Sequence, residues 1–285
     1  MSGIYLYADI YAKLEKLRKT GLPRGPETGW DDITDLYRPE KRMISLVTGI
    51  PNHGKSAWLD ALRVNLSCQY GWKHATFSPE NYPLELYYAN LVQIYAGSSI
   101  GMLPQEVWLE ACHFIDRHFV FCYPNEKDCT VDGILDMFEA CKHGFDVDSI
   151  LIDPYNEIEH KRPQNMSETE YVSLFLTKIR RFAREKDVHA WLVAHPMKLQ
   201  KDKNGDYPVP TPYDVSGSAH FRNKPDFCIA VHRPDFKEDY SEVHIQKVRF
   251  RNHGKVGMAE LQYDWRSGRY GMRGTKTFSM PIGEC

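Results

Sequence analysis

The chain has 285 residues, of which 42% are hydrophobic and 13% aromatic, and its formal net charge at pH 7 is −2. That length and composition suffice for one large α/β core, and the many aromatic residues exclude a largely disordered chain. The net charge gives the whole molecule no strong attraction for nucleic acid. The segment 241–276 differs, because it carries eight Lys or Arg and three Asp or Glu. Such a segment fits either local contact with phosphates or an ordinary solvated face.

Cysteine and histidine usage argues against a disulfide framework or a zinc site. The seven cysteines are odd in number and form no CxxC pair. We interpret the histidines near the C-terminus as structural: His220, His232, His244 and His253. No stretch approaches the ~20 apolar residues of a membrane span, and the N-terminus lacks the basic flank of a signal peptide. We therefore expect a reducing, cytoplasmic setting and no membrane partner.

The N-terminal region predicts one separate helix. Apolar residues at Ile10, Leu14 and Leu17 indicate an amphipathic helix over 7–19, followed by a Gly/Pro-rich linker. This helix packs either on its own domain or on a neighbouring subunit. We divide the chain into a linker region at 1–26, a main domain at 27–270 and a tail at 271–285.

Strands and helices then alternate. Apolar periodicity predicts strands at 43–48, 75–78, 119–123, 149–153 and 189–194, and helices at 55–70, 84–96, 105–117, 131–143 and 168–185. Further strands at 227–231, 243–250 and 258–263 follow without helices between them. This order predicts an α/β fold with a mostly parallel twisted sheet, helices on both faces and mixed edge strands. The polar stretch 199–217 is long enough to indicate a functional loop.

Residues 49–56, with the sequence GIPNHGKS, form a phosphate-binding signature. The signature follows a predicted strand and opens a predicted helix, where backbone N–H groups face a phosphate. Lys55 would reach the β- and γ-phosphates of ATP, and the Ser56 hydroxyl would bind Mg²⁺. We expect the rest of this loop to bind nucleotide through Gly49, Asn52, His53, Gly54 and Ala57.

Three polar residues stand at the ends of predicted strands. Asp153 is the expected Mg²⁺-side carboxylate, and an Asp that caps a turn before Pro154 is the alternative. Glu80 is positioned to accept a proton from an attacking water, with a surface acid as the alternative. His195 could sense the γ-phosphate, although its position alone favours an ordinary structural histidine.

Basic residues alternate over 247–251, where the sequence is KVRFR. A strand here would point Lys247, Arg249 and Arg251 to one face, and unpaired cations are costly to bury. A phosphate of a neighbouring subunit's nucleotide would neutralise them, and a cation supplied in trans accelerates phosphoryl transfer by ~10³–10⁵. An exposed edge with surface ion pairs is the alternative.

The order of these motifs resembles the DnaB-type (superfamily 4) hexameric replicative helicases, especially the Twinkle-like primase-helicases of phages and prophages. The chain has GIPNHGKS, SPE, LIDP, VAHPMK, VSGSAHFRN and RFRNHGKVG in that order, and FSPENYPLELY is typical of the Twinkle-like branch. The resemblance covers about 27–270 and implies a RecA-like fold. It also implies an ATP- and Mg²⁺-dependent motor that moves 5′ to 3′ on single-stranded DNA as a homohexameric or heptameric ring.

The same resemblance implies catalytic roles. Glu80 would be the catalytic base, His195 a γ-phosphate sensor coupled to DNA, and Arg251 the arginine finger for the next subunit's ATP. Arg249 stands where many relatives have a Lys. Because the two side chains are not interchangeable, the role is left open between Arg249 alone and Arg249 together with Lys247.

Contacts with base, DNA and neighbours are implied as well. Arg233 and Tyr263 fall where relatives sandwich the nucleotide base, and the first helix resembles the linker helix that docks on the adjacent subunit. The residues expected to hold DNA in a central channel are Lys198, Lys201, Lys203, Ser216, Gly217, Ser218 and Arg222.

Three functions fit the sequence. A ring-forming helicase motor is favoured over a RecA-like filament-forming ATPase, because no N-terminal polymerisation motif is evident. It is favoured over a nucleotide switch or loader partner, because Glu80, Asp153 and Arg251 together form a full hydrolytic set. Relatives usually carry a primase-like domain, for which this chain has no room. A primase domain or protein and a replicative polymerase are therefore expected partners, in a bacterial cell with a phage or prophage origin.

Overall fold

The computed structural model describes residues 5–124, 129–201, 203, 205–215 and 219–274. In these ranges the helices are α1 (Tyr7–Thr20), α2 (Asp31–Thr34), α3 (Lys55–Tyr70), α4 (Leu84–Ala96), α5 (Gln105–His118), α6 (Val131–Phe145), α7 (Glu168–Glu185) and α8 (His220–Asn223). The strands are β1 (Ile44–Thr48), β2 (His74–Phe77), β3 (Phe119–Phe121), β4 (Ser149–Ile152), β5 (His189–Val193), β6 (Phe227–His232), β7 (Tyr240–Val248), β8 (Gly257–Asp264) and β9 (Arg269–Met272). Short 3₁₀ turns lie at Ile100–Met102, Tyr155–Glu157 and Arg251–His253.

The described strands form one sheet in the order β3-β2-β4-β5-β1-β6-β7-β8-β9. Neighbouring strands from β3 to β6 run parallel, and β7, β8 and β9 add an antiparallel edge. One hydrophobic core lies under α3, α4 and α5, and a second lies under α6 and α7 on the other face. Because both faces are covered, β1, β5 and β6 are buried along their whole length. The predicted RecA-like fold is confirmed.

The first helix stands apart from this core. α1 contains no buried residue, and its apolar side chains Tyr7, Tyr11 and Leu14 are exposed. The alternative that this helix packs on its own domain is therefore wrong. The linker after it does contact the domain, since the Asn252 side-chain amide donates to the Pro23 carbonyl oxygen at 2.6 Å.

The structure differs from the prediction at two places near the C-terminus. The strand predicted over 243–250 is Tyr240–Val248, and Arg251 begins a 3₁₀ turn instead of extending it. The ladder ends there because Val248 pairs with Phe227, the first residue of β6; one further backbone hydrogen bond follows, from the Arg249 N–H to the Asp226 carbonyl oxygen at 2.9 Å. The strand Arg269–Met272 was not predicted, and it continues past the proposed boundary at 270.

A buried polar network fixes α3 against the sheet and α4. The Arg63 guanidinium, which is 0% exposed, pairs with the carboxylate of Asp60. It also donates to the Thr76 hydroxyl at 2.6 Å and to the Tyr87 hydroxyl at 2.9 Å. Burial raises the pKa of Asp60 to about 6, against the opposing effect of Arg63. Because α3 begins at Lys55 and β2 leads to Glu80, this network sets the distance between two elements of the candidate site.

We expect Arg63→Met to lower the free energy of unfolding by about 3–5 kcal/mol, because it leaves the buried Asp60 without a cation. Urea denaturation of the full chain would measure this loss. The double variant Asp60→Leu with Arg63→Met should recover much of the stability, since it removes both charges. The exposed Arg117 on α5 provides the control, and Arg117→Met should change stability by less than about 0.5 kcal/mol. A single variant as stable as the wild type would contradict the role of the network.

Candidate nucleotide site

Four parallel strands bring the predicted residues together at their carboxyl ends. The rim of the sheet that these strand ends form is called its carboxyl edge, and the rim at the other end of the strands is the opposite edge. β1 leads into the P-loop, β2 into Glu80, β4 into Asp153 and β5 into His195. Ligands bind at this edge in open α/β sheets, where loops leave the strands in a common direction. The four predicted positions therefore lie together, as the strand-end argument requires.

The P-loop backbone depends on its glycines. Gly54 has φ 90° and Gly49 has φ 154°, and a Cβ on Gly49 would lie 2.4 Å from the Val231 carbonyl oxygen. Asn52 also has a positive φ of 66°, which turns the loop back towards α3. Few L-residues adopt a backbone with positive φ, and loops of this kind form concave binding sites for anions.

Lys55 is held within this loop. Its ammonium group donates to the Ile50 carbonyl oxygen at 3.1 Å, and only 5% of the residue is exposed. Burial lowers the pKa of Lys55 to about 8, although the carboxylates of Asp153 and Glu80 act in the opposite direction. An anion placed in the loop would stabilise the charged form of this lysine.

Asp153 faces the P-loop rather than a turn of its own. The Ser56 hydroxyl donates to its carboxylate at 2.7 Å, and the residue is 2% exposed. Burial raises the pKa of Asp153, while Ser56 and Lys55 lower it. A hydroxyl and a buried carboxylate are oxygen donors of the kind that Mg²⁺ prefers. A divalent cation between them would offset the cost of burying the carboxylate, so the residues present fit this ion.

Glu80 and His195 face each other at the rim of the site. The Glu80 carboxylate lies 3.7 Å from His195 Nε2, with about half of its side chain exposed. Burial raises the pKa of Glu80, with a further contribution from Glu157, and burial lowers the pKa of His195. His195 Nδ1 is buried and has no partner among the described residues. The histidine is thus not the satisfied structural side chain that its position alone favours.

A second cavity opens beside the P-loop. Arg233 and Tyr263 line it together with His53 and Ala57, as expected for a base-binding pocket. The Arg233 backbone N–H donates to His53 Nδ1 at 2.9 Å, and burial lowers the pKa of His53 to about 4. Sequence reasoning missed three further residues on the wall of this cavity, since nothing marks them in the sequence: Tyr240, Ser241 and Tyr270.

The three cations of 247–251 do not share a face, contrary to the sequence-based prediction. The Lys247 ammonium donates to the carbonyl oxygens of Arg222 and Pro225, both at 2.7 Å. Arg249 pairs with Asp226 at 2.9 Å. Both side chains are therefore bound within their own chain, because the end of α8 supplies the acceptors. Arg251 is exposed and forms no ion pair with any residue that the structure describes.

Arg251 lies at the opposite edge of the sheet from its own P-loop. β7 runs antiparallel to β6, so its C-terminal residue Val248 pairs with Phe227 at the start of β6. β6 has six residues, and at about 3.3 Å per residue roughly 20 Å separate the two edges. That distance is well beyond the reach of an arginine side chain.

The predicted DNA loop leaves the sheet at the carboxyl end of β5. A bridge between Pro196 and Val215 closes its base, and the side chains of Lys198, Lys201 and Lys203 are exposed. Arg222 is half-buried beside β7, where it donates to the Gln246 carbonyl oxygen at 3.2 Å. Three further predicted DNA contacts lie outside the described residues: Ser216, Gly217 and Ser218.

Two kinds of feature are absent from the described residues. None of the helices in these ranges is both long and apolar enough to span a bilayer. In the same part of the chain, no group of three or more His, Cys, Asp or Glu side chains could hold a metal ion.

Comparison with known proteins identifies relatives in sequence and in fold. No protein-family model matches the chain. In an alignment 288 positions long that covers 94% of this chain, it is 34% identical to the Twinkle homolog protein, chloroplastic/mitochondrial, of Arabidopsis thaliana. The chain spans 40% of the length of that relative.

Solved structures share the fold. One solved ATPase domain has a TM-score of 0.77 at 17% identity, covering 95% of this chain and 99% of that one. A DnaB-like replicative helicase, described with its interactions with primase, has a TM-score of 0.75 at 19% identity, covering 94% of this chain and 68% of that one. By its sequence the chain is related to part of a Twinkle homolog, and by its fold to the ATPase domains of DnaB-like helicases, which share its RecA-like P-loop architecture.

Proposed function

We propose that this chain is the ATP-hydrolysing motor of a replicative DNA helicase that moves on single-stranded DNA as a ring. One observation carries the proposal. The groups that bind and hydrolyse a nucleotide converge at one edge of the sheet, while the exposed Arg251 lies at the opposite edge. A head-to-tail assembly of like subunits brings the two edges together, and we propose that this assembly closes into a ring.

The residues of one subunit bind the nucleotide and activate water. Lys55 and the N–H groups of the P-loop bind the phosphates of ATP. Ser56 and Asp153 would hold Mg²⁺, which neutralises phosphate charge when bound. Glu80 accepts a proton from the attacking water, and its raised pKa brings it closer to the working pH of a general base. Arg233 and Tyr263 hold the base in the adjoining cavity.

A second subunit completes the site. Arg251 of that subunit stabilises the charge that develops on the transferred phosphoryl group. Lys247 and Arg249 support the 3₁₀ turn that begins at Arg251, since their hydrogen bonds join the end of β7 to the end of α8. They position Arg251 and do not themselves contact the transferred phosphoryl group.

The DNA strand would lie along the loop that follows β5. Its lysines contact phosphates without reading sequence, as expected for a non-specific motor. His195 joins this loop to the phosphate site, because it contacts Glu80 and immediately precedes Pro196. We further propose a ring of six or seven copies, 5′ to 3′ movement, a primase and a replicative polymerase as partners, and a phage-derived protein in the bacterial cytoplasm.

The steady-state ATPase rate, measured with and without single-stranded DNA, tests the motor. We expect DNA to stimulate hydrolysis and the mass in solution with ATP and Mg²⁺ to match a closed ring. A ring-sized assembly whose hydrolysis ignores DNA would exclude a translocating motor. Helical filaments without closed rings in electron micrographs would favour a recombinase-type ATPase instead.

Subunit mixing tests the trans arrangement. Lys55→Ala should abolish hydrolysis because the phosphates lose their buried cation, and Arg251→Ala should reduce it by ~10³-fold or more. Mixed subunits of these two variants should regain activity, since a Lys55→Ala subunit can offer Arg251 to an intact P-loop. Arg117→Ala, which removes an exposed arginine in the last turn of α5, provides the control and should leave the rate unchanged. Absence of rescue on mixing would contradict action in trans.

The lowered pKa of Lys55 predicts a pH dependence of nucleotide affinity. A lysine is charged below its pKa, so affinity is full below pH 8 and falls as the pH rises through about 8. The dissociation constant of a fluorescent ATP analogue should rise about tenfold between pH 7 and pH 9. Lys55→Arg keeps its charge over this range and should give a flat profile, even if it binds more weakly. An equally steep profile in both proteins would assign the titration to another group.

A further inference from the structure

Arg251 shares its surroundings with two other free cations. It lines a cavity of about 220 Å³ together with Arg24 of the linker and Lys255, which follows the 3₁₀ turn. All three side chains are exposed, and the described part of the chain offers none of them an ion pair. We propose that Arg24 and Lys255 join Arg251 in one cationic site that holds the phosphate chain of the nucleotide bound by the next copy of this chain.

The path of the linker places Arg24 at this site. The residue before it, Pro23, accepts a hydrogen bond from the side chain of Asn252 at 2.6 Å. The residue after it, Gly25, donates its N–H to His253 Nδ1 at 3.3 Å. A Cβ on Gly25 would lie 2.1 Å from the Pro39 carbonyl oxygen, so the backbone passes too closely for a side chain. Both neighbours of Arg24 are thus fixed, and they hold it beside the turn of Arg251.

Lys255 is fixed on the other side of that turn. Its backbone N–H donates to the Leu36 carbonyl oxygen at 3.0 Å, and Gly254 forms an antiparallel bridge with Tyr37. A Cβ on Gly254 would lie 2.0 Å from the Leu36 carbonyl oxygen, which shows how closely the two segments approach. Two separate stretches of chain therefore deliver cations to one concave surface.

The charges around the cavity leave an excess of cations. A fourth cation, Arg38, is already paired with Glu27 at 2.9 Å. Among the lining residues, Asp35 is the one carboxylate that opposes the three free cations. A chain of successive phosphates presents several anionic groups to cations that come from different directions, and guanidinium groups bind phosphate oxygens in pairs.

The location of the cavity favours a nucleotide over DNA. The exposed lysines of the proposed DNA loop leave the sheet at its carboxyl edge, whereas Arg251 lies at the other edge, which the motor proposal assigns to the neighbour's nucleotide. The inference rests on that proposed function. It adds two phosphate-binding residues to the trans contact, and one of them lies in the linker between α1 and the main domain.

Charge-neutral variants test the site. Arg24→Gln and Lys255→Gln keep polar side chains of similar reach but lose the charge. With saturating single-stranded DNA, we expect each to raise the KM for ATP about threefold and the double variant about tenfold, with less effect at high salt. Arg117→Gln at the β3 edge is the matched control and should match the wild type. Equal urea midpoints would show that the variants fold, since both side chains are exposed.

Mixing shows whether the effect acts in trans. The Lys55→Ala subunit hydrolyses nothing but keeps all three cations, so it should restore a wild-type KM when mixed with the double variant. If Arg251→Ala abolishes hydrolysis while the double variant keeps the wild-type KM, the inference is overturned and the motor proposal stands. If Arg251→Ala has no effect, the trans ATPase itself fails and the inference with it. If only the half-stimulating concentration of DNA rises, the cavity binds DNA and the nucleotide assignment is wrong.

Discussion

The parallel pairing of β1 with β5 and β6 is the constraint on which the rest of the site depends. Because parallel strands end at one edge, residues as far apart in sequence as Lys55 and His195 meet there. The chain then reverses direction between β6 and β7, and this reversal carries Arg251 to the opposite edge. In the proposed motor, this one change of strand direction would divide the reaction centre into two halves that a single subunit cannot reunite.

The regular elements could be predicted closely because local signals mark their ends. α3 and α4 have their predicted bounds, and each ends before a glycine with positive φ, Gly71 or Gly97, that stops the helix. β9 could not be predicted in this way. Its four residues show no clear alternation, and the strand forms because β8 offers a free edge to pair with. Such pairing depends on tertiary position and leaves little trace in the local sequence.

The candidate site, like the fold, could be predicted from the sequence only in part. Asp153 and Glu80 could be placed because strand ends in a parallel sheet have a known location, and that rule needs only sequence periodicity. The prediction that Lys247, Arg249 and Arg251 share one face assumed that the strand continues to Arg251. It is wrong because the strand ends at Val248. The partners of the first two cations are carbonyl oxygens at the end of α8 and the buried Asp226. No spacing rule reveals acceptors that come from another element.

In the proposed ring, both halves of the centre lack part of their charge compensation, and this would link ligand binding to assembly. Burial raises the pKa of Asp153 and lowers that of Lys55. The Ser56 hydroxyl and then Lys55 favour the charged form of Asp153, while Asp153 and Glu80 favour that of Lys55. Arg251 at the far edge forms no ion pair with any described residue. A nucleotide with its cation supplies the missing charges to the first half and offers an anion to the second. Coupling between sites is reciprocal. A nucleotide that is bound more tightly in the ring than in the free subunit must therefore strengthen the ring to the same extent.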